Sequence, residues 1–339
     1  MNVPRRSCKE LVVPDQALDA AAVQALVADA TAAPSMHNAQ PWRFHHVRNS
    51  NVLRMRMDPA RALPAADPHN RGLHLGCGAA LFNLRVAAAH TGWRARVSLL
   101  PDATEPELIA DIAFVRPPDT DQDLAGLYTA VPRRHTNRNP FTDEAIPQAV
   151  LDGLKGAAVA EGARLAFLSP WQVDAVLELM QDAETQEAAA PDVQEEVARW
   201  TRAQAGRTSA EGIPRDAFGP RRHGGRAVVR DFEGGQHIDG RETATFEHAP
   251  CLAVLGTQRD GRADWLHAGQ AMERVLLQAT LDGLATSLSS HALEWPELRW
   301  AVRDPLSAMG HAQMLLRLGY GPAAPATPRR PVSDVLEIV

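Results

Sequence analysis

Two stretches of the chain carry residue types that could do chemistry. The first is the segment Ala33-Pro34-Ser35-Met36-His37-Asn38-Ala39-Gln40-Pro41-Trp42-Arg43-Phe44. It holds a hydroxyl and two carboxamides between prolines, which fix φ and remove competing backbone donors. A turn of this kind can hydrogen-bond a planar polar ligand. The same residues would also suit an ordinary turn at the end of a helix.

The second stretch is basic and reads Arg133-Arg134-His135-Thr136-Asn137-Arg138-Asn139-Pro140-Phe141. Its guanidinium groups and hydroxyl suit a phosphate, because arginine offers forked donors that match phosphate oxygens. A solvated basic linker is the alternative, since runs of charge commonly face water.

Composition limits the classes of function. The 339 residues suit one long domain or two compact ones, and 45% hydrophobic content is ordinary for a soluble protein. A formal net charge of -6 and a pI near 6.1 argue against general nucleic-acid binding. The sequence shows no secretion signal and no apolar run of about 18 residues. We therefore expect a cytoplasmic protein with no nucleic-acid or membrane partner.

Cysteine and histidine spacing does not favour a metal site. Cys8, Cys77 and Cys251 are far apart and form no CxxC pair, so we expect buried thiols in a reducing compartment. His45 and His46 are neighbours in a predicted strand, and their rings would point to opposite faces.

Two other enzyme classes fit poorly. A dinucleotide fingerprint at Gly76-x-Gly78 lacks its third glycine and its preceding strand. A hydrolase would need an activated nucleophile, and Ser35 beside His37 has no orienting acid that the sequence reveals.

Hydrophobic periodicity predicts the elements that position the two stretches. Asp15 or Asp19 is the expected cap of the first helix, and Asp264 that of the last long one. The predicted helices span 15–33, 70–92, 121–130, 147–161, 171–187, 191–205 and 264–283. The predicted strands span 42–47, 52–57, 94–100, 109–115, 164–168, 251–257, 285–289 and 314–318. A Trp- and Pro-rich loop is expected near 291–300. The irregular, Gly- and Arg-rich segment 206–245 is predicted to act as a lid.

The two long helices indicate an internal duplication. At one constant shift, Gly78 falls on Gly269 and Gly92 on Gly283, with matching small and apolar residues between them. A strand-like run follows each helix. Shared spacing of this kind is what fused repeats leave behind, although alanine and leucine are common enough for chance agreement.

The two chemical stretches resemble known motifs. The first resembles the APSxxNxQPWxF signature of the FMN-dependent nitroreductase superfamily, with matches at Ala33, Pro34, Ser35, Asn38, Gln40, Pro41, Trp42 and Phe44. The second resembles that superfamily's RxSxR phosphate motif, with matches at Arg134, Thr136 and Arg138. The motifs occur in reversed order, and nearly the whole chain is similar to the fused, Acg-type branch.

This resemblance implies an α+β, nitroreductase-like fold that is duplicated in one chain as a pseudo-dimer, with mostly antiparallel central sheets flanked by helices. Residues 1–130 would form the half with the APSxxNxQPW loop. Residues 131–339 would form the half with the RxTxR motif and the lid-like insertion 206–245. One loop and one phosphate motif imply one complete FMN site in a monomeric chain. Residues 5–9 would be a degraded copy of the phosphate motif.

The resemblance also implies the residues of the flavin site. Arg134, Thr136, Arg138 and Arg329 or Arg330 would bind the phosphate, whereas Ser35, Asn38 and Gln40 would address the ring edge and ribityl chain. The full set of expected cofactor-binding residues is Pro34, Ser35, Asn38, Gln40, Arg134, Thr136, Arg138, Leu288, Ser289, Ser290, Arg329 and Arg330.

No side chain is assigned a catalytic role, because hydride and electron transfer belong to the flavin. The expected function is an FMN-dependent oxidoreductase that acts on a small organic molecule, with NAD(P)H as the candidate reductant. The alternative is a protein that binds or sequesters FMN with little or no reductase activity.

Overall fold

Two mostly antiparallel sheets and two long crossing helices build the fold. The computed structural model describes residues 18–48, 50–201, 210–227, 229–232, 240–303 and 309–339. The helices in these ranges are α1 (Ala20–Thr31), α2 (Arg71–His90), α3 (Gln122–Gly126), α4 (Gln148–Ala160), α5 (Pro170–Ala188), α6 (Pro191–Thr201), α7 (Arg262–Leu281), α8 (His291–Glu294), α9 (Pro296–Ala301) and α10 (Val332–Val335).

The strands fall into three sheets. They are β1 (Trp42–His46), β2 (Val52–Met57), β3 (Arg94–Leu99), β4 (Leu108–Val115), β5 (Arg164–Phe167), β6 (Arg221–Gly224), β7 (Thr243–Thr245), β8 (Cys251–Thr257), β9 (Ala285–Ser289), β10 (His311–Gly319) and β11 (Leu336–Ile338). The first sheet has the order β11-β1-β2-β4-β3 and the second β5-β8-β10-β9. A two-stranded parallel ribbon, β6-β7, lies apart from them.

The topology confirms the internal duplication. The order β1-β2-β4-β3 in the first sheet has the same pattern as β5-β8-β10-β9 in the second. Every neighbouring pair within these two sets is antiparallel. The preceding helices α1 and α4 and the central helices α2 and α7 take equivalent places along the chain. The fold is therefore α+β, with two similar halves in one chain.

The two halves meet where α2 crosses α7, and glycines make this contact possible. Gly78 and Gly269, which the duplication aligns, lie against each other at the crossing. A Cβ added to Gly78 would overlap the carbonyl oxygen of Leu266, and one added to Gly269 would overlap that of Leu75. These reciprocal contacts place a pseudo-twofold axis at the crossing. One hydrophobic core runs through both halves around it.

The chain end completes the first sheet. β11 pairs in parallel with β1, with Phe44 opposite Leu336. The sequence did not reveal this strand, because a run of three residues after a proline-rich tail carries little periodic signal. The strand ties the end of the second half to the first half.

Several predicted elements need correction at their ends. The first helix begins at Ala20 with Asp19 as its cap, whereas α7 begins at Arg262 and Asp264 lies in its first turn. There Asp264 accepts a hydrogen bond from the Gly261 N–H, which explains why it resembled a cap. The expected Trp- and Pro-rich loop contains α8 and α9. The predicted strand at 314–318 extends over all of β10. Cys8, Asp15 and residues 5–9 lie outside the described residues.

Both described cysteines lie at least partly inside the protein. Cys77 is buried and Cys251 half-buried, and burial raises the pKa of both thiols. Among the described residues, no cluster of His, Cys, Asp and Glu is arranged to hold a metal ion. No described helix is long and apolar enough to cross a bilayer.

We expect the crossing glycines to be required for stability. Gly78→Ala or Gly269→Ala should lower the free energy of unfolding by about 1 to 3 kcal/mol, because the two backbones must move apart. Denaturant titration of the purified variants measures this change.

Gly153→Ala and Gly156→Ala are matched controls. Both glycines lie in α4, and an added Cβ at either position meets no atom within 4 Å. Alanine favours a helix over glycine by about 1 kcal/mol, so these variants should be as stable as the original protein or more stable. Equal effects of all four substitutions would contradict the proposed role of the crossing.

Candidate functional site

A cavity lies between the two halves and draws its walls from both. Its volume is about 110 Å³, and about 1030 Å³ when the open solvent space at its mouth is included. The first half contributes residues 34–37 and the face of α2 at Gly72 and Gly76. The second half contributes Thr136, Arg138, residues 287–291 and residues 314–317. Both of the stretches that the sequence singled out therefore reach one cavity.

The motif loop, residues 33–41, has a strained backbone. His37, Asn38 and Gln40 have φ values of 50°, 55° and 54°, in the left-handed region that disfavours most side chains. The Ser35 hydroxyl accepts a hydrogen bond of 2.9 Å from the Gln40 N–H and closes the turn. The loop packs on α2 at Gly76, where an added Cβ would lie 3.3 Å from the Ser35 Cβ.

Asn38 and Gln40 hold this loop in place with their carboxamides. Asn38 Nδ2 donates to the carbonyl oxygens of Gly212 and Pro328, at 3.0 and 3.1 Å. Gln40 Nε2 donates to Ala210 O at 2.6 Å, and its Oε1 accepts from the backbone N–H of Arg330 at 2.8 Å. Neither residue lines the cavity, although Pro34 and Ser35 do. For Asn38 and Gln40, contact with a flavin stays a prediction.

The basic segment, residues 133–141, is fixed against β9. Thr136 forms an isolated parallel bridge with Thr286, and the Asn137 N–H donates to Thr286 O at 2.8 Å. Thr136 and Arg138 face the cavity. Arg138 Nη1 donates to Ala217 O at 2.9 Å. No carboxylate among the described residues pairs with this guanidinium, and its burial lowers its pKa to about 10.

Arg134 and Arg329 converge at the carboxyl end of α1. Both donate to Ala32 O, at 2.9 and 3.0 Å, and Arg329 also donates to the carbonyls of Thr31 and Ala33. A helix carboxyl end carries partial negative charge and attracts such cations. Of the two predicted phosphate ligands here, one arrives from the basic segment and the other from the chain's end.

This cationic cluster has more positive charge than its partners neutralise. Glu273, 3.3 Å from Arg134 Nε, is the carboxylate that the described residues place beside it. Burial raises the pKa of Glu273, and burial together with the nearby Arg134 lowers the pKa of Arg329 to about 9. Within the described part of the chain, Arg134 Nη1 is buried without a hydrogen-bond partner. The donor set fits a bound anion.

The other predicted residues have different surroundings. Leu288, Ser289 and Ser290 line the cavity, and Ser289 Oγ is buried there with no hydrogen-bond partner among the described residues. Arg330 lies away from the cavity, where its guanidinium is 3.9 Å from Asp58. A direct contact between Arg330 and a phosphate stays a prediction.

The lid segment, residues 206–245, contributes to the wall of the cavity in the parts that the structure describes, and its action as a lid stays a prediction. Ile213, Val229, Arg230 and Phe232 form cavity wall, and most of this segment's apolar side chains are buried. They pack with α6 and the motif loop in a satellite core. Helix α6 contributes Val193, Val197 and Trp200 to this core.

A buried ion network holds the lid segment down. Arg230 pairs with Glu187 on α5 and Glu294 on α8, both at 3.0 Å. His291 Nε2 lies 2.5 Å from Glu187. Burial opposes ionisation of Glu187, but His291 and Arg230 outweigh it and lower the pKa to about 2. This network was not predicted from the sequence, because its members are separated along the chain and share no motif.

The chain is similar to known proteins over most of its length. The Nitroreductase family model matches residues 3–66 and 131–320. The chain belongs to the nitroreductase family. The two matched segments each contain one of the two chemical stretches, in the reversed order that the sequence showed.

Relatives of this nitroreductase-family chain match nearly its whole length. The Mycobacterium tuberculosis H37Rv protein named "Putative NAD(P)H nitroreductase Rv3131" is 34% identical over 94% of this chain and 92% of its own length. The protein of the same strain named "Putative NAD(P)H nitroreductase acg" is 29% identical over 96% of this chain and 98% of its own. A solved BluB-like flavoprotein from Clostridium difficile 630 covers 63% of this chain and 98% of that chain, at 13% identity and a TM-score of 0.41.

We expect Arg230→Gln to loosen the lid segment. Breaking a buried charge pair costs about 3 kcal/mol or more, because the carboxylates that remain are left unpaired. Hydrogen exchange of residues 213–218 and 229–232 should therefore become roughly a hundredfold faster. Mass spectrometry of peptides from the exchanged protein measures this rate.

Arg226→Gln is the control from the same segment. Arg226 pairs with Asp174, but both side chains are more than 40% exposed, and such pairs contribute about 1 kcal/mol at most. Its exchange should stay close to that of the original protein. An Arg230→Gln variant that exchanges no faster than Arg226→Gln would show that the network does not hold the segment.

Proposed function

We propose that this nitroreductase-family chain is an FMN-binding oxidoreductase that transfers electrons or hydride to or from a small organic substrate. The carrying observation is the cavity between the halves, which joins the motif loop to Thr136 and Arg138 of the basic segment. Arg138 is a buried cation that no carboxylate among the described residues pairs with, and part of the cavity lining is apolar. These features suit a ligand with a phosphate and a flat ring.

Each part of the site has a distinct task in this proposal. Arg134, Thr136, Arg138 and Arg329 bind the phosphate, because the described residues give Arg138 no carboxylate partner and leave Arg134 and Arg329 with Glu273 alone. Ser289 offers its unpaired hydroxyl to the polar edge of the ring.

Bound FMN would supply the hydride and electron transfer. The chain's own residues bind and orient it. Pro34 and Ser35 line the cavity. Asn38 and Gln40 do not line it and fix the conformation of the motif loop through their hydrogen bonds to Gly212 and Ala210. The lid segment excludes water, because Ile213 and Phe232 present apolar surface to the cavity. Small, flat substrates are therefore favoured over bulky ones.

NAD(P)H is the proposed reductant, in line with the names of the relatives. Anaerobic mixing of the purified yellow protein with NADH or NADPH tests this function through the loss of flavin absorbance. We expect bleaching by at least one of the two. The packed lid favours one alternative, a protein that holds FMN without turning over a nicotinamide. A flavin that dithionite reduces but neither nicotinamide does would support that alternative.

We also propose that a single chain forms this site, because the contact between its halves replaces the one that separate subunits would make. In the fused arrangement, the motif loop and the basic segment of one chain meet at one cavity. The site needs no second copy of the chain.

The phosphate assignment predicts the effect of single substitutions. Arg134→Ala and Arg138→Ala should each weaken FMN affinity by about tenfold or more, because a charge-assisted hydrogen bond contributes about 1.5 to 3 kcal/mol. Fluorescence titration of the apoprotein with FMN measures the dissociation constant.

Arg133→Ala is the matched control for these variants. Arg133 is the exposed neighbour of Arg134, and its hydrogen bond to Thr280 O is long, at 3.5 Å. Its removal should leave FMN affinity within about twofold of the original. Unchanged affinity in both Arg134→Ala and Arg138→Ala would reassign the basic segment to a solvated linker.

A further inference from the structure

The imidazole of His37 has a place in the cavity that the flavin proposal does not use. His37 lines the cavity, is only 5% exposed, and its Nε2 is buried with no hydrogen-bond partner in the described chain. Leaving such a nitrogen unpaired costs about 1 to 3 kcal/mol. Its backbone is also in the left-handed region, at a φ of 50°. An uncompensated cost of this kind points to a ligand atom as the missing partner.

An aromatic side chain from the lid segment stands beside this imidazole. The rings of His37 and Phe232 meet edge to face, with centroids 5.9 Å apart and planes at 90°. The guanidiniums of Arg138 and Arg230 lie 5.1 and 5.7 Å from the Phe232 centroid. A polar nitrogen and an apolar ring therefore share one wall of the cavity, and this wall suits a flat ring with one polar atom.

The charges around His37 determine what kind of polar atom fits. Arg230 faces it from the lid segment, Glu187 from α5, Arg138 from the basic segment and His291 from α8. Burial first, and then Arg230, lowers the pKa of His37 well below its usual value, so the imidazole is neutral at neutral pH.

Arg230 has no spare positive charge, because Glu187 and Glu294 both pair with it. Arg138 is committed to FMN in the proposed function. An anionic substituent would therefore find little to neutralise it beside His37, whereas an uncharged oxygen would find a hydrogen-bond donor.

We propose that His37 Nε2 selects the substrate by donating a hydrogen bond to an uncharged sp² oxygen on a flat ring that lies against Phe232. Quinones and nitroarenes share this chemistry. The inference rests on the proposed function, because the substrate must be held beside a bound flavin. His37 is thus a substrate-contacting residue in the cavity, and its neutral imidazole provides the donor in the tautomer with the proton on Nε2.

Ligand binding to the oxidised yellow protein tests this proposal without turnover, because oxidised flavin has no reducing equivalents to transfer to the ligand. The ligands are 1,4-naphthoquinone, 1-nitronaphthalene and naphthalene, titrated while the visible flavin absorbance is followed. Naphthalene has the same two rings and no oxygen. His37→Phe keeps an aromatic ring and removes both nitrogens. It should weaken binding of the oxygen-bearing ligands by about fivefold to tenfold and leave naphthalene unchanged.

A loss with only one of the two oxygen-bearing ligands would assign the substrate to that class. In the original protein, 1,4-naphthoquinone-2-sulfonate should bind more weakly than 1,4-naphthoquinone. Tighter binding of the sulfonate would contradict the argument from charge.

His37→Asn is the second variant, because asparagine tolerates the left-handed backbone that this position requires. Its shorter amide should also weaken naphthoquinone binding, by about threefold or more, while naphthalene binding persists. His45→Gln is the histidine control, since His45 is a partly exposed residue of β1 that pairs with Glu337. The His45→Gln variant should bind all three ligands as tightly as the original protein.

The outcomes separate this inference from the flavin proposal. A colourless original protein would overturn the proposed function, and this inference with it. A yellow protein with normal FMN content, in which His37→Phe and His37→Asn both bind naphthoquinone as tightly as the original, would overturn this inference alone. If His37→Phe fails to fold, the comparison of His37→Asn with the original protein decides the question by the same criterion.

Discussion

The contact between Gly78 and Gly269 determines how the two halves of the chain are related. An added Cβ at Gly78 would lie 3.0 Å from the Gly269 Cα, so α2 and α7 approach as closely as two backbones can. This approach makes one continuous core of residues from both halves. It also sets the distance across the cavity, because α2 supports the motif loop and α7 leads into β9. The site is therefore a consequence of how the halves cross.

The motif loop adopts its conformation only because distant parts of the chain hold it. Three left-handed residues in one short loop cost about 1 to 3 kcal/mol each. Hydrogen bonds from Asn38 and Gln40 to the lid segment and the tail offset this cost, and Arg329 caps the preceding helix. Carboxamides suit these positions, because each offers both a donor and an acceptor. The loop, the lid segment and the tail are consequently one cooperative unit.

Local signals were enough to predict most of the fold. The strands at 52–57, 251–257 and 285–289 lie where the sequence placed them. The strand at 251–257 is a buried apolar run and the one at 52–57 begins with alternating exposed and buried residues, and both patterns are local signals of a strand. The duplication was visible because packing at a backbone crossing demands glycine at equivalent places. By contrast, tertiary contacts determine β11 and the short helices α8 and α9, and segments of so few residues carry too little local signal to be predicted.

The candidate site shows the same division. Pro34, Ser35, Thr136, Arg138 and residues 288–290 were predicted, and the structure brings them to one cavity. Arg230 and Glu187 were not predicted as site residues, since a buried ion network has no characteristic spacing in sequence. His37 stood inside the recognised motif, but only its burial without a partner distinguishes it from a histidine that bonds locally.

Native mass spectrometry of the dilute yellow protein tests the central claim most directly, namely that one chain contains one complete flavin site. The account predicts a dominant species with the mass of a single 36.7 kDa chain plus one FMN. Flavin found only on species with two chains, or two flavins on one chain, would contradict it.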